Sequence, residues 1–162
     1  MTTHTHKSVL SERQARLVQY WKSKRVDGAW PSRCDINPGE VRCSLANISL
    51  VELSDQTFRF RLTGSRIQRI FGKAVVGQLL HDIDASVEEA GSASMALALE
   101  TGRPISGSRR VGEKEHSWLR LPLLNEAGDP QLVLCYDEIS DLSAGPQRRT
   151  VEYTAVSEGI AA

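Results

Sequence analysis

Phe58-Arg59-Phe60-Arg61-Leu62-Thr63-Gly64-Ser65 runs on through Ile67, Ile70 and Phe71 to Gly72 and carries the clearest strand-to-helix signal in the chain. Its first six residues alternate, with Phe58, Phe60 and Leu62 on one side and Arg59, Arg61 and Thr63 on the other. That period of two marks a half-buried β-strand. Gly64 and Ser65 end it, and Ile67, Ile70 and Phe71 then recur at i, i+3 and i+4, the spacing of a short amphipathic helix. Just upstream, residues 48–53 form another strand candidate, and the Asp55-Gln56 step between the two runs reads as a hairpin turn.

Working outward toward the N-terminus, Pro31 and Pro38 make residues 30–38 a structured loop, and residues 40–45 a short helical turn. Before them, Ser11 and Gln14 have capping-box spacing. Leu10, Leu17, Val18 and Trp21 form an apolar stripe on the helix opened there, which stops by Gly28. The stripe packs either on the chain's own sheet or on another subunit. Toward the C-terminus, residues 79–83 read as a helical piece. A helix opened by Ser86 and Glu89 runs to Thr101, where Gly102 and Pro104 stop it. Strands come next at residues 105–111, 116–124 and 132–139, and Val151, Tyr153 and Ala155 alternate as an added edge strand. Strands on either side of a helical block predict an α+β fold with an antiparallel sheet.

The chain has 162 residues, enough for one compact domain with a core of its own. Twenty Lys and Arg balance twenty Asp and Glu, so no global field recruits nucleic acid or a membrane surface. Cys34, Cys43 and Cys135 are an odd set without paired spacing, which predicts reduced thiols and a cytoplasmic setting. The first eight residues lack the apolar core of a signal peptide, and no apolar run reaches membrane-spanning length.

No catalytic constellation stands out. There is no Gly-x-Ser-x-Gly elbow, and His81-Asp82-Ile83-Asp84 reads as a polar helix end, too few ligands for a metal. Haem would need His81, or less readily His116, as an axial ligand. No glycine fingerprint points to a flavin, so no cofactor is predicted. The run from Gln56 to His81 carries Arg59, Arg61, Arg66, Arg69 and Lys73 and no acid, making it the candidate partner surface. Gly91, Ser92, Ala93, Ser94 and Ala96 leave room beside the sheet, for close packing or for a ligand cavity. A cavity would be lined by Phe60, Ile70, Met95, Leu99 and Leu121.

These elements and motifs resemble those of the bacterial PAS-type family with an N-terminal helix before one PAS core. The likeness rests on Tyr20-Trp21 through residues 31–38, on residues 58–65 with Phe71-Gly72 and Gly77, and on Thr101-Gly102-Arg103-Pro104 with Leu121-Pro122-Leu123 and Gly128. Ser65 stands where members usually carry Thr, and Lys73-Ala74 where an acidic residue is common. The resemblance implies a five-stranded antiparallel sheet with helices on one face and an extra N-terminal helix. It divides the chain into a mobile N-terminus (1–9), a helix (10–29), a core (30–140) and a tail (141–162). It implies a sensory or adaptor module, not an enzyme, that binds a small ligand, a signalling partner or both and acts in trans. Dimerisation would use Leu10, Leu17 and Trp21. A carrier with an apolar cavity is the alternative, and a small α+β cavity enzyme the third.

Overall fold

In the computed structural model, which describes residues 10–71, 75–83, 85–142 and 154–155, one antiparallel sheet organises the chain. Its strands are β1 (Ile48–Ser54), β2 (Thr57–Thr63), β3 (Ile105–Val111), β4 (Lys114–Leu123), β5 (Leu132–Asp141) and β6 (Thr154–Ala155). They lie in the order β2-β1-β5-β4-β3-β6. The five long strands are those expected, and β6 adds the edge strand, pairing Thr154 and Ala155 with Ser106 and Ile105. The β1–β2 turn holds Asp55 and Gln56 at φ 49° and 64°. Two successive left-handed residues match the twist of a tight hairpin.

Helices cover both faces of the sheet. On one face lies α1 (Glu12–Ser23), opened by the expected capping box: Gln14 N–H donates to Ser11 Oγ, and Ser11 N–H to Gln14 Oε1. Leu17, Val18 and Trp21 pack on Leu119, Leu121, Leu123, Leu134 and Tyr136. The Trp21 indole N–H donates to the Pro122 carbonyl at 2.8 Å. The apolar stripe is therefore consumed by the chain's own sheet, leaving Leu17 and Trp21 no exposed surface for a second subunit, and half-buried Leu10 packs on the same cluster.

On the other face lie α2 (Ile67–Phe71) and α3 (Ala85–Thr101). Phe58, Phe60, Ile67, Met95, Val51, Val133 and Cys135 form the core there. The small residues of α3 serve close approach: Gly91 sits against Leu80, where a Cβ would come within 3.2 Å of Leu80 Cδ2. The side chains of the Ser86/Glu89 box lie outside the described residues, as do residues 1–9 and most of the tail.

The alternation along β2 breaks once. Val51 pairs with Phe60 but Leu50 pairs with Leu62, so Arg61 is an extra residue opposite the Leu50–Val51 step. A bulge of this kind reverses the facing of the residues beyond it. Leu62 therefore joins Leu50 on the α1 face, not Phe60 on the α3 face, contrary to strict alternation.

Candidate functional site

The same alternation that puts Leu119, Leu121 and Leu123 under α1 turns Trp118, Arg120 and Pro122 of β4 toward α3. Beside them, β5 turns Val133, Cys135 and Asp137 the same way. The result is a buried charged cluster. Arg120 donates through Nη1 to Asp137 Oδ2 at 3.0 Å and through Nη2 to Asp137 Oδ1 at 2.9 Å. His116 Nε2 lies 2.8 Å from Asp137 Oδ1. All three residues are at most 4% exposed. Burial alone would raise the Asp137 pKa, but the Arg120 charge and the His116 hydrogen bond hold it well below the usual carboxylate range. At the Cys135 thiol burial outweighs the Arg120 charge that would lower its pKa, and pushes it up to about 12.

Two donors in this cluster are left over. Arg120 Nε and Trp118 Nε1 are buried without a hydrogen-bond partner. A desolvated N–H with no acceptor costs about 1–3 kcal/mol, so each is a position where an acceptor would be stabilising.

The face under α1 carries a different feature. A groove of about 80 Å³ runs beside the helix, lined by Ile36, Val41, Leu50, Leu62 and Leu134 with Arg33 at its edge. Backbone contacts build its walls. Arg33 N–H donates to the Leu124 carbonyl, and Leu124 N–H to the Pro31 carbonyl, both at 2.9 Å. Tyr20 Oη accepts from Asn37 N–H and donates to Glu40, each at 2.8 Å, while Lys24 pairs with Glu40 at 2.9 Å. That latch holds residues 33–41 against α1, and the hydrogen bonds from Lys24 and Tyr20 keep Glu40 below its ordinary pKa. On the opposite wall, Gly64 lies so close to the Leu45–Ala46 backbone that a Cβ would fall 2.0 Å from the Leu45 carbonyl oxygen.

The cavity candidates divide between these faces. Phe60, Ile70, Met95 and Leu99 gather under α2 and α3. Leu121 is across the sheet among the α1 contacts, so the five cannot line one cavity. The basic row is largely engaged: Arg59 Nη1 donates to the Gly77 carbonyl at 2.6 Å, Arg61 pairs with Glu52, and Arg66 Nη1 donates to Asn47 Oδ1 at 3.2 Å. Arg69 is exposed on α2, and Lys73 lies outside the described residues. His81 is in the short turn Leu80–Asp82, its side chain outside the described residues. His116, the weaker haem candidate, is committed to Asp137. Among the described residues no group of three or more His, Cys, Asp or Glu is placed to hold a metal ion. No helix among them is long and apolar enough to cross a membrane.

A family model described as a PAS domain matches residues 9–134. No curated protein matches the chain. Among solved structures, the PAS domain of histidine kinase ThkA is 18% identical with a TM-score of 0.45, over 56% of this chain and 97% of that one. An RNA-binding light-oxygen-voltage receptor is 17% identical with a TM-score of 0.44, over 70% of this chain and 36% of that one. Histidine kinase ThkA in complex with response regulator protein TrrA gives 21% and 0.44, over 59% and 28%.

Proposed function

The chain belongs to the PAS domain family, and from that premise we propose that it is a sensory module: it binds a small ligand rich in hydrogen-bond acceptors between the sheet and α3, and reports that state to a separate signalling protein. The proposed activity is binding, not catalysis. The observation that supports it is the pair of buried donors without acceptors, Trp118 Nε1 and Arg120 Nε, on the sheet face that α3 covers. Buried polar groups in folded proteins are nearly all bonded, so two adjacent orphans on one strand demand a reason. The Arg120–Asp137–His116 cluster fixes the guanidinium, so its free edge is pre-oriented toward an incoming carbonyl or carboxylate.

The test is native mass spectrometry of the purified chain, followed by a thermal-shift screen of small carboxylates and carbonyl-bearing heterocycles. A binder at a hundred times its Kd adds about 2.7 kcal/mol of stability. Trp118→Phe removes one donor and keeps a ring, and it should abolish most of the shift. No adduct and no stabilising compound, or a shift untouched by Trp118→Phe, would sink the reading.

A further inference from the structure

The groove beside α1 lies across the sheet from the proposed ligand, and none of the interior donors reaches it. Three properties define its occupant. Its lining is aliphatic apart from Arg33. Its volume of about 80 Å³ is near half of the roughly 150 Å³ that admits benzene in an engineered cavity, so it suits one branched aliphatic side chain better than an aromatic ring or a lipid tail. And two of its lining residues, Leu45 and Leu62, are 38% and 53% exposed, so the apolar surface continues outward from the groove. Leu62 is there because of the bulge at Arg61; regular alternation would have buried it elsewhere.

Arg33 supplies the charge. Its guanidinium is half-buried at the groove edge and makes no hydrogen bond or ion pair within the described residues. An unpaired cation beside an aliphatic wall is poorly solvated and gains from an incoming carboxylate. Its backbone is pinned to Leu124, and Ser32 N–H donates to Asp35 Oδ2 at 2.7 Å, so the site is formed before anything binds. We propose that this groove docks a segment of a partner protein that presents an aliphatic side chain next to an acidic residue. The aliphatic group seats between Ile36, Val41 and Leu50, the carboxylate pairs with Arg33, and the segment's apolar flank covers Leu45 and Leu62.

The experiment pans a library of random displayed peptides against the immobilised full chain and measures the enriched peptides by fluorescence anisotropy. The enriched sequences should share Leu, Ile, Val or Met beside Asp or Glu. Arg33→Glu and Leu62→Asp should each weaken them at least about tenfold, the loss of a single well-placed contact. Exchanging the peptide's acid for a lysine should restore binding to Arg33→Glu, while Trp118→Phe leaves affinity unchanged, which separates this site from the ligand reading. Arg33→Ala carries the test if Leu62→Asp does not fold. The proposal is overturned if enriched peptides lack the acidic–aliphatic pair or bind the variants equally. It is also overturned if decanoate fills the groove where no peptide does, or if light scattering shows self-association that Leu62→Asp abolishes.

Discussion

Replacing Arg120 with methionine would leave Asp137 as a buried carboxylate with only His116 beside it. The two charges are held by bonds of 2.9 and 3.0 Å. With charge centres roughly 4 Å apart and an effective dielectric near 20, their attraction is about 4 kcal/mol. Breaking a buried pair by removing one partner costs about 3–5 kcal/mol, because the survivor stays desolvated. Urea denaturation measures this: with a slope of about 2 kcal/mol per molar, the midpoint should fall by roughly 2 M. Adding Asp137→Asn removes the stranded charge at constant volume and should return most of the loss. The pH response gives a second signature. In the native chain Asp137 has a depressed folded pKa, so its contribution is fully present above the unfolded value of about 3.9 and is lost as pH falls toward the folded pKa. In Arg120→Met burial dominates and the folded pKa lies above the unfolded one. That variant is penalised at neutral pH and relieved as pH falls through its raised folded pKa toward about 3.9. The gap between the two proteins therefore starts to narrow above about pH 4 and narrows further below it as the native contribution is lost. A single variant costing under about 1 kcal/mol, or a double variant no better than the single, would refute the cluster as drawn.

Three further outcomes rest on the packing. Gly64→Ala places a Cβ against two backbone oxygens, those of Leu45 and Ala46, at 2.0 and 2.5 Å; neither can swing away, so urea unfolding should show a loss of about 3 kcal/mol or more. Trp21→Ala removes a fully buried indole and its bond to Pro122. It should cost about 3–5 kcal/mol at unchanged mass in light scattering, whereas a change of association state would return the α1 stripe to a dimer interface. Cys34 and Cys43 are exposed and Cys135 is buried, its thiol pushed up to about 12. Thiol titration at about pH 8 should therefore find two reactive cysteines in the native chain and the third only in denaturant.

Most of the elements were legible because each carries a local signal. The capping box at Ser11 and Gln14 formed as its spacing implies. Gly102 comes after α3 at φ 67°, a conformation that ends helices. The turn at Asp55-Gln56 was placed, though its two left-handed residues are ones for which Gly or Asn is the usual signal. The bulge was not legible. Nothing in Phe60-Arg61-Leu62 distinguishes a skipped residue from regular alternation, since the insertion is defined by what lies opposite, at Leu50 and Val51. That one residue is the difference between Leu62 as core and Leu62 as groove rim.

The charged cluster was hidden for a related reason. Along β4, Trp118 and Arg120 alternate with Leu119, Leu121 and Leu123, and an Arg in the non-leucine row reads as a solvent-facing residue. It is buried because the sheet is covered twice, by α1 on the leucine face and by α3 on the other. Double coverage could be suspected from strand composition: in β5, Leu132 to Tyr136 is apolar without a break, the mark of a strand with no wet face. What composition cannot supply is register. Arg120 lies opposite Cys135, and Trp118 opposite Asp137, so the ion pair runs diagonally across two strands and joins residues 17 positions apart in sequence. A slip of one residue in β5 would send Asp137 to the leucine face and Tyr136 beneath α3. The interior donors and the groove wall at Leu134 are thus fixed by the same pairing of β5, on opposite faces, and neither can be assigned until the strand order is known.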